Sequence, residues 1–166
     1  MQSQVLSILV ENTSGVLSHV SGLFSRRGYN IDSFSSGVTI DPRFTRITVV
    51  SHGDEQILEQ IEKQLAKLED VISIKALNPE DSVFRELVLV KVLVSENQRD
   101  KVISVANIFR AKIIDVSPDS LIVEVTGGTD KVNALIRLLG DYEILELART
   151  GTTALSRGSQ DVTIID

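Results

Sequence analysis

Residues 8–37 read ILVENTSGVLSHVSGLFSRRGYNIDSFSSG, and this stretch decides the fold. An apolar run ends at Glu11, and Asn12-Thr13-Ser14-Gly15 interrupts it with turn formers, cap formers and a glycine. From Val16 the apolar positions Val16, Leu17, Val20, Leu23 and Phe24 recur every three or four residues, the stripe of an amphipathic helix that Thr13 or Ser14 can cap. Gly28 suits the helix end, and Tyr29-Asn30-Ile31 opens a second extended segment. The unit is strand, tight loop, helix, strand. A helix that starts in such a loop offers unpaired N–H groups and a positive dipole end, a natural seat for a carboxylate or phosphate.

Working outward, residues 31–40 read as a strand rich in small residues, Asp41-Pro42 as a turn, and residues 44–50 as the returning strand of a hairpin. Asp54 is placed to cap a second helix with Ile57, Leu58, Ile61, Leu65 and Leu68 on one face, and residues 71–77 form a fourth strand. The order β-α-β-β-α-β predicts a ferredoxin-like α+β domain. Residues 78–82, NPEDS, are polar and aperiodic, after which the order repeats. The expected strands there are 86–94, 112–116, 121–126 and 142–148. The expected helices are one over 97–109 with Val102, Val105, Ala106 and Phe109 inward and one carrying Val132, Leu135, Ile136 and Leu139. Two tandem ferredoxin-like βαββαβ domains follow, at 1–78 and 83–158, with a linker at 79–82. From Thr150 no pattern is evident, and 159–166 is read as a tail in which residues 162–165 are apolar enough to pair.

The totals narrow the function. With 42% apolar and 24% charged residues the chain can bury a core as a soluble protein. The net charge of −6 is spread evenly, seven basic and ten acidic residues through Glu80 and ten and thirteen after it, which speaks against nucleic acid or anionic membrane as a partner. No cysteine is present, which removes thiolate chemistry and suits a cytoplasmic location, as does the lack of a basic-then-apolar leader pattern. His19 and His52 stand in no HxxxH or HxH spacing and read as surface or boundary residues rather than metal ligands. No GxSxG elbow occurs, and the glutamates Glu59, Glu62 and Glu69 alternate with lysines as on a solvated helix face. Gly127-Gly128 lacks the GxxxxGK[ST] spacing and reads as a tight turn. RNA-binding sheets of this fold need paired aromatics on central strands, which this chain lacks.

The run LVENTSGVLSHVSGLFSRRGYNIDS resembles the amino-acid-sensing ACT domain, and in particular the small regulatory subunits of acetohydroxyacid synthase (acetolactate synthase). The resemblance continues through GDEQILEQIEKQLAKLEDV, RELVLVKV, FRAKIIDVSPDS and the closing ARTGTTALSRG, and so spans the chain. It implies a non-catalytic chain that associates with a large catalytic subunit, activates it and confers feedback inhibition by valine in branched-chain amino-acid biosynthesis. The cofactors, thiamine diphosphate, Mg2+ and FAD, are implied for that catalytic subunit and none for this chain. A homodimer is implied, with the effector between two ACT domains. One subunit would contribute Asn12, Ser14, Gly15, Val16, Leu17 and Ser18, and the other Asn30, Ile31, Ser35 and Gly37. Free valine needs backbone N–H groups for its carboxylate, an amide oxygen for its ammonium and a small apolar pocket, which Asn12, Gly15 and Asn30 can help supply. Those same residues also fit plain turn roles. The alternative is a stand-alone ACT-type sensor acting on another enzyme. An acylphosphatase-like hydrolase would need an arginine in the first glycine loop, and a metal-responsive repressor clustered histidines and a DNA-binding arm, and this sequence has neither. Aspartate at position 15 is expected to leave folding near neutral if ordinary residues can adopt the backbone angles there.

Overall fold

The computed structural model describes residues 1–159. Strand β1 (Gln2–Glu11) is central to the first sheet. It pairs antiparallel with β3 (Phe44–Gly53) along its whole length and with β4 (Val71–Leu77), while β2 (Ser33–Val38) lies on the outer side of β3, giving the order β2-β3-β1-β4. Leu6, Ile8 and Val10 of β1 pack with Val20, Leu23 and Phe24 of α1 (Val16–Arg27) and with Leu58, Ile61 and Leu65 of α2 (Glu55–Ala66). Val5, Ser7 and Leu9, of the opposite parity, are buried as well, so β1 reads as a continuous apolar run instead of an alternation. Each of these buried aliphatic side chains contributes roughly 1.5–3 kcal/mol by leaving water.

The ends of the helices follow from local chemistry. Asp54 caps α2, its Oδ1 accepting from Ile57 N–H at 2.8 Å. Gly28, at φ 67°, closes α1 in the left-handed conformation; Tyr29 N–H reaches Phe24 O at 3.0 Å, and the rings of Phe24 and Tyr29 meet edge to face at 6.1 Å. At the tip of the β2–β3 hairpin, Arg43 grips Asp41 with hydrogen bonds that hold its carboxyl below the usual carboxylate range. That contact supports the hairpin above the ordinary carboxylate pKa and is lost as pH falls through the depressed value.

The second unit repeats the order with β5 (Ser82–Leu93), α3 (Glu96–Ile108), β6 (Lys112–Val116), β7 (Ser120–Gly127), α4 (Thr129–Leu139) and β8 (Glu143–Arg149), its strands arranged β6-β7-β5-β8. Val88, Val90 and Val92 of β5 form its core with Val102 and Ala106 of α3 and Val132, Leu135 and Leu139 of α4. The two tandem βαββαβ modules are thus those expected. Boundaries moved by a few residues. β5 starts at Ser82 because Asn78 closes a turn at once, accepting from Asp81 N–H at 3.1 Å and from Glu80 N–H through its side chain at 3.3 Å, which reduces the expected linker to that turn.

The patternless stretch after Thr150 contains a strand, β9 (Thr153–Ser156), paired with β5. Residues 1–83 and 152–159 belong to the first compact unit, and 84–151 to the second. Thr152 N–H donates to Ser33 Oγ at 2.7 Å and Arg157 N–H to Asp81 O at 2.6 Å, contacts with no sequence periodicity to announce them. The expected pairing of 162–165 lies outside the described residues.

Glu86 is 5% exposed and its carboxylate is held by Arg149, which also donates to Asn133 Oδ1 at 3.2 Å. Arg149→Met strands a buried carboxylate and is expected to destabilise by about 3–5 kcal/mol, whereas Glu86→Leu with Arg149→Met is expected to recover most of that loss. Urea unfolding of both variants checks this, and equal losses would contradict it. Arg110 ends α3 with φ 54°, the place Gly28 takes after α1, and Ala111 N–H reaches back to Ala106 O at 2.9 Å. Arg110→Gly removes the Cβ strain of that conformation and is expected to stabilise by about 1 kcal/mol. A lowered melting temperature would show that the arginine side chain outweighs its backbone strain.

Candidate functional site

The expected effector residues begin where β1 hands over to α1. Gly15 sits at φ 85°, ψ −4°, left-handed, and neither Thr13 nor Ser14 caps the helix with its side chain. The chain turns by other means: Thr13 N–H bonds to Glu11 O at 3.0 Å, Val16 N–H to Thr13 O at 3.4 Å, and His19 N–H to Gly15 O at 3.0 Å. Between the last two, the N–H groups of Leu17 and Ser18 find no acceptor among the described residues. Asn12 is fixed against the hairpin tip, its backbone N–H on Arg43 O at 2.7 Å and its Nδ2 on Pro42 O at 3.0 Å, which leaves its side-chain oxygen free to accept.

These groups line a cleft of about 370 Å³ whose walls are Asn12, Thr13, Gly15, Val16, Leu17, Ser18, Ser36, Val38 and Thr45. Open helix donors, a free amide oxygen and the apolar side chains of Leu17 and Val38 make it fit for a small molecule with a carboxylate and a short aliphatic group. Gly15 carries a further consequence. A Cβ there would meet nothing closer than His19 Nε2 at 3.9 Å, but its left-handed φ strains any L residue. Substitution therefore costs about 1 kcal/mol, less for Asn and Asp than for others, and the expectation of near-neutral folding is corrected.

The other expected residues lie elsewhere in the chain. Ser14 is exposed and is not among the residues lining the cleft. Ser35 and Gly37 pair with Thr48 and Arg46 on the sheet face opposite that of Ser36, which pairs with Ile47. They line a second cleft of about 590 Å³ with Arg46, Thr48, Thr153 and Leu155, and Ser36 and Val38 border both clefts. Asn30 and Ile31 follow the C-terminal end of α1, a helix of 12 residues and so about 18 Å long, opposite the end at Asn12. Ser36, Val38 and Thr45 were not among the expected residues; strand alternation puts Ser36 and Val38 on one face and could have found them.

The residues set aside as chemistry-poor have structural partners. His19 Nδ1 lies 2.5 Å from Asp70 Oδ2, and His52 Nδ1 2.8 Å from Asp32. Lys131 folds back to donate to Thr126 O at 3.1 Å, beside a Gly127 where a Cβ would press on its Cδ at 2.7 Å, so the glycine pair is a packed turn. Among the described residues no three His, Asp or Glu side chains gather to hold a metal ion, and no helix is long and apolar enough to cross a membrane.

Comparison with known proteins accounts for both halves. Residues 6–73 match the AHAS small subunit-like ACT domain and residues 85–158 the family described as small subunit of acetolactate synthase. The chain is 50% identical over 159 residues to the "Probable acetolactate synthase small subunit" of Methanothermobacter thermautotrophicus, covering 95% of each. It is 47% identical over 158 residues to the acetolactate synthase isozyme 3 small subunit of Salmonella typhimurium, covering 95% of this chain and 97% of that one. Among solved structures, the acetolactate synthase small subunit of Thermotoga maritima superposes with a TM-score of 0.88 at 40% identity, over 96% of this chain and all of that one. Matched along nearly its whole length in sequence and in fold, the chain belongs to the acetolactate synthase small-subunit family.

Proposed function

We propose that this chain associates with a large catalytic subunit of acetolactate synthase, stimulates it, and makes it sensitive to valine bound at the cleft below Gly15. The thiamine diphosphate, Mg2+ and FAD of the reaction belong in this reading to the catalytic subunit. The observation that carries the effector assignment is the pair of unbonded N–H groups at Leu17 and Ser18 beside the free oxygen of Asn12, with Leu17 and Val38 as an apolar wall. A carboxylate fits the N–H groups and the helix dipole, an ammonium fits the amide oxygen, and an isopropyl group fits the wall. The separation of Asn30 from that cleft by the length of α1 supports a site completed by a second copy of the chain. β2 is an open sheet edge rich in small residues, suited to such a copy.

Three measurements test this. Mixed with a large subunit, the chain is expected to raise acetolactate formation and to render it inhibitable by valine; alone with pyruvate it is expected to form none. Sedimentation at micromolar concentration is expected to give at least a dimer, and a persistent monomer that binds valine would defeat the shared site. Gly15→Asp and Gly15→Asn share the backbone strain but differ in charge, so their comparison isolates the electrostatics. Both are expected to lose less than about 1 kcal/mol of stability, since Asn and Asp tolerate the left-handed conformation better than other residues. Asp is expected to weaken valine binding at least about tenfold more than Asn, because it sets a like charge against the ligand carboxylate. Equal affinities by calorimetry would move the carboxylate away from Gly15.

A further inference from the structure

Asn30 does not stand alone. His52, on β3, has Nδ1 2.8 Å from both carboxylate oxygens of Asp32, while its Nε2 faces Asn30 Nδ2 at 3.4 Å. Asp32 is itself anchored, its N–H donating to Val50 O at 2.8 Å, and His52 is held by its strand pairing with Ser3. With the Asn30 amide nitrogen turned to the ring, the three groups fit one arrangement. A carboxylate only accepts, so Nδ1 must carry the proton; an amide NH₂ only donates, so Nε2 must be bare. A neutral Nδ1–H imidazole satisfies both.

We propose that His52, oriented by Asp32, is a positioning residue for the effector: it fixes which way the Asn30 amide points. With Nδ2 committed to His52, Asn30 turns its oxygen away from the pair, and that oxygen has no partner among the described residues. A free asparagine amide presents oxygen and nitrogen almost equally well, and nitrogen would repel a ligand ammonium. The Asp32–His52 pair removes the wrong orientation before the ligand arrives, as supporting contacts do for preorganised sites. This inference rests on the reading of Asn30 as an effector contact.

The test uses the full chain and valine titrated by calorimetry. His52→Leu is expected to weaken valine binding by about threefold to tenfold, the loss of one oriented hydrogen bond. His52→Gln, whose side-chain oxygen can accept from Asn30, is expected to restore most of it. In an Asn30→Ala background, His52→Leu is expected to add nothing, because the residue it orients is gone. A purely structural histidine would instead weaken binding in both backgrounds alike, and that result, or an unchanged affinity for His52→Leu, would overturn the proposal. Nitrogen-15 NMR of the ligand-free chain is expected to show His52 protonated at Nδ1 and bare at Nε2; the opposite tautomer would also overturn it. Wild-type chain that shows the expected tautomer but does not bind valine would overturn the effector reading, and the role of His52 with it, and so is distinguished from failure of the positioning step alone.

Discussion

The left-handed backbone at Gly15 is the constraint on which the candidate site depends. It swings the chain from β1 into α1 without a capping side chain, although Asn12, Thr13 and Ser14 all precede it. A side-chain cap contributes typically about 1 kcal/mol, so leaving the first turn of α1 open forgoes stability that the sequence had the residues to gain. The charges agree with this. α2, α3 and α4 carry Glu55, Glu96 and Asp130 in their first turns, and α1 carries no acidic residue there. Three helix dipoles are complemented from within the chain. The fourth is left positive, the condition for an outside anion to compete for it.

The two modules show how one arrangement is used in two ways. At the matching junction of the second unit, Ser95 begins α3, its N–H donating to Gln98 Oε1 at 3.0 Å, and Glu96 follows in the first turn. That start is closed by its own side chains. At the other end of the same helices the contrast reverses in cost: α1 stops on Gly28, for which a left-handed φ is free, whereas α3 stops on Arg110, for which it is strained. Both termini keep the same backbone bond, from the residue after the left-handed one to a carbonyl five positions back. The backbone geometry is what repeats, and the side chains fitted to it differ.

The fold was legible because its signals are periodic. Val16, Val20, Leu23 and Phe24 and Leu58, Ile61 and Leu65 mark helices by spacing, and each proved to face the first core. Gly28 and Asp54 announced their roles by residue type. What failed to show was non-periodic. β9 has four residues, too few for an alternation to stand out, and it exists through pairing with β5 and through the bond from Thr152 to Ser33, more than a hundred residues away. Thr13 and Ser14 were reasonable caps by composition; that Gly15 takes the cap position itself depends on a backbone angle that no side chain encodes. Of the residues lining the candidate cleft, Asn12 and Gly15–Ser18 were readable as a contiguous loop and helix start, because neighbours in sequence there are neighbours in space.

Strand β2 shows where contiguity misleads. Ser35, Ser36 and Gly37 are consecutive, but alternation sends Ser36 to the face of the α1 cleft and its neighbours to the other. Ser36 and Val38 are therefore the β2 residues able to touch whatever the helix start holds. β2 is also the edge of its sheet, with no strand paired to its outer side among the described residues and side chains small enough for another chain to approach closely. If a second copy adds there, as the proposed shared site requires, the same strand serves as a pocket wall and as the seam between chains. A ligand that binds the paired chains better than the separate ones must then stabilise the pairing by its difference in affinity, and pairing must raise affinity for the ligand by the same factor. Effector sensing and subunit association would be one equilibrium, and a catalytic partner that grips the paired form would feel the ligand without touching it.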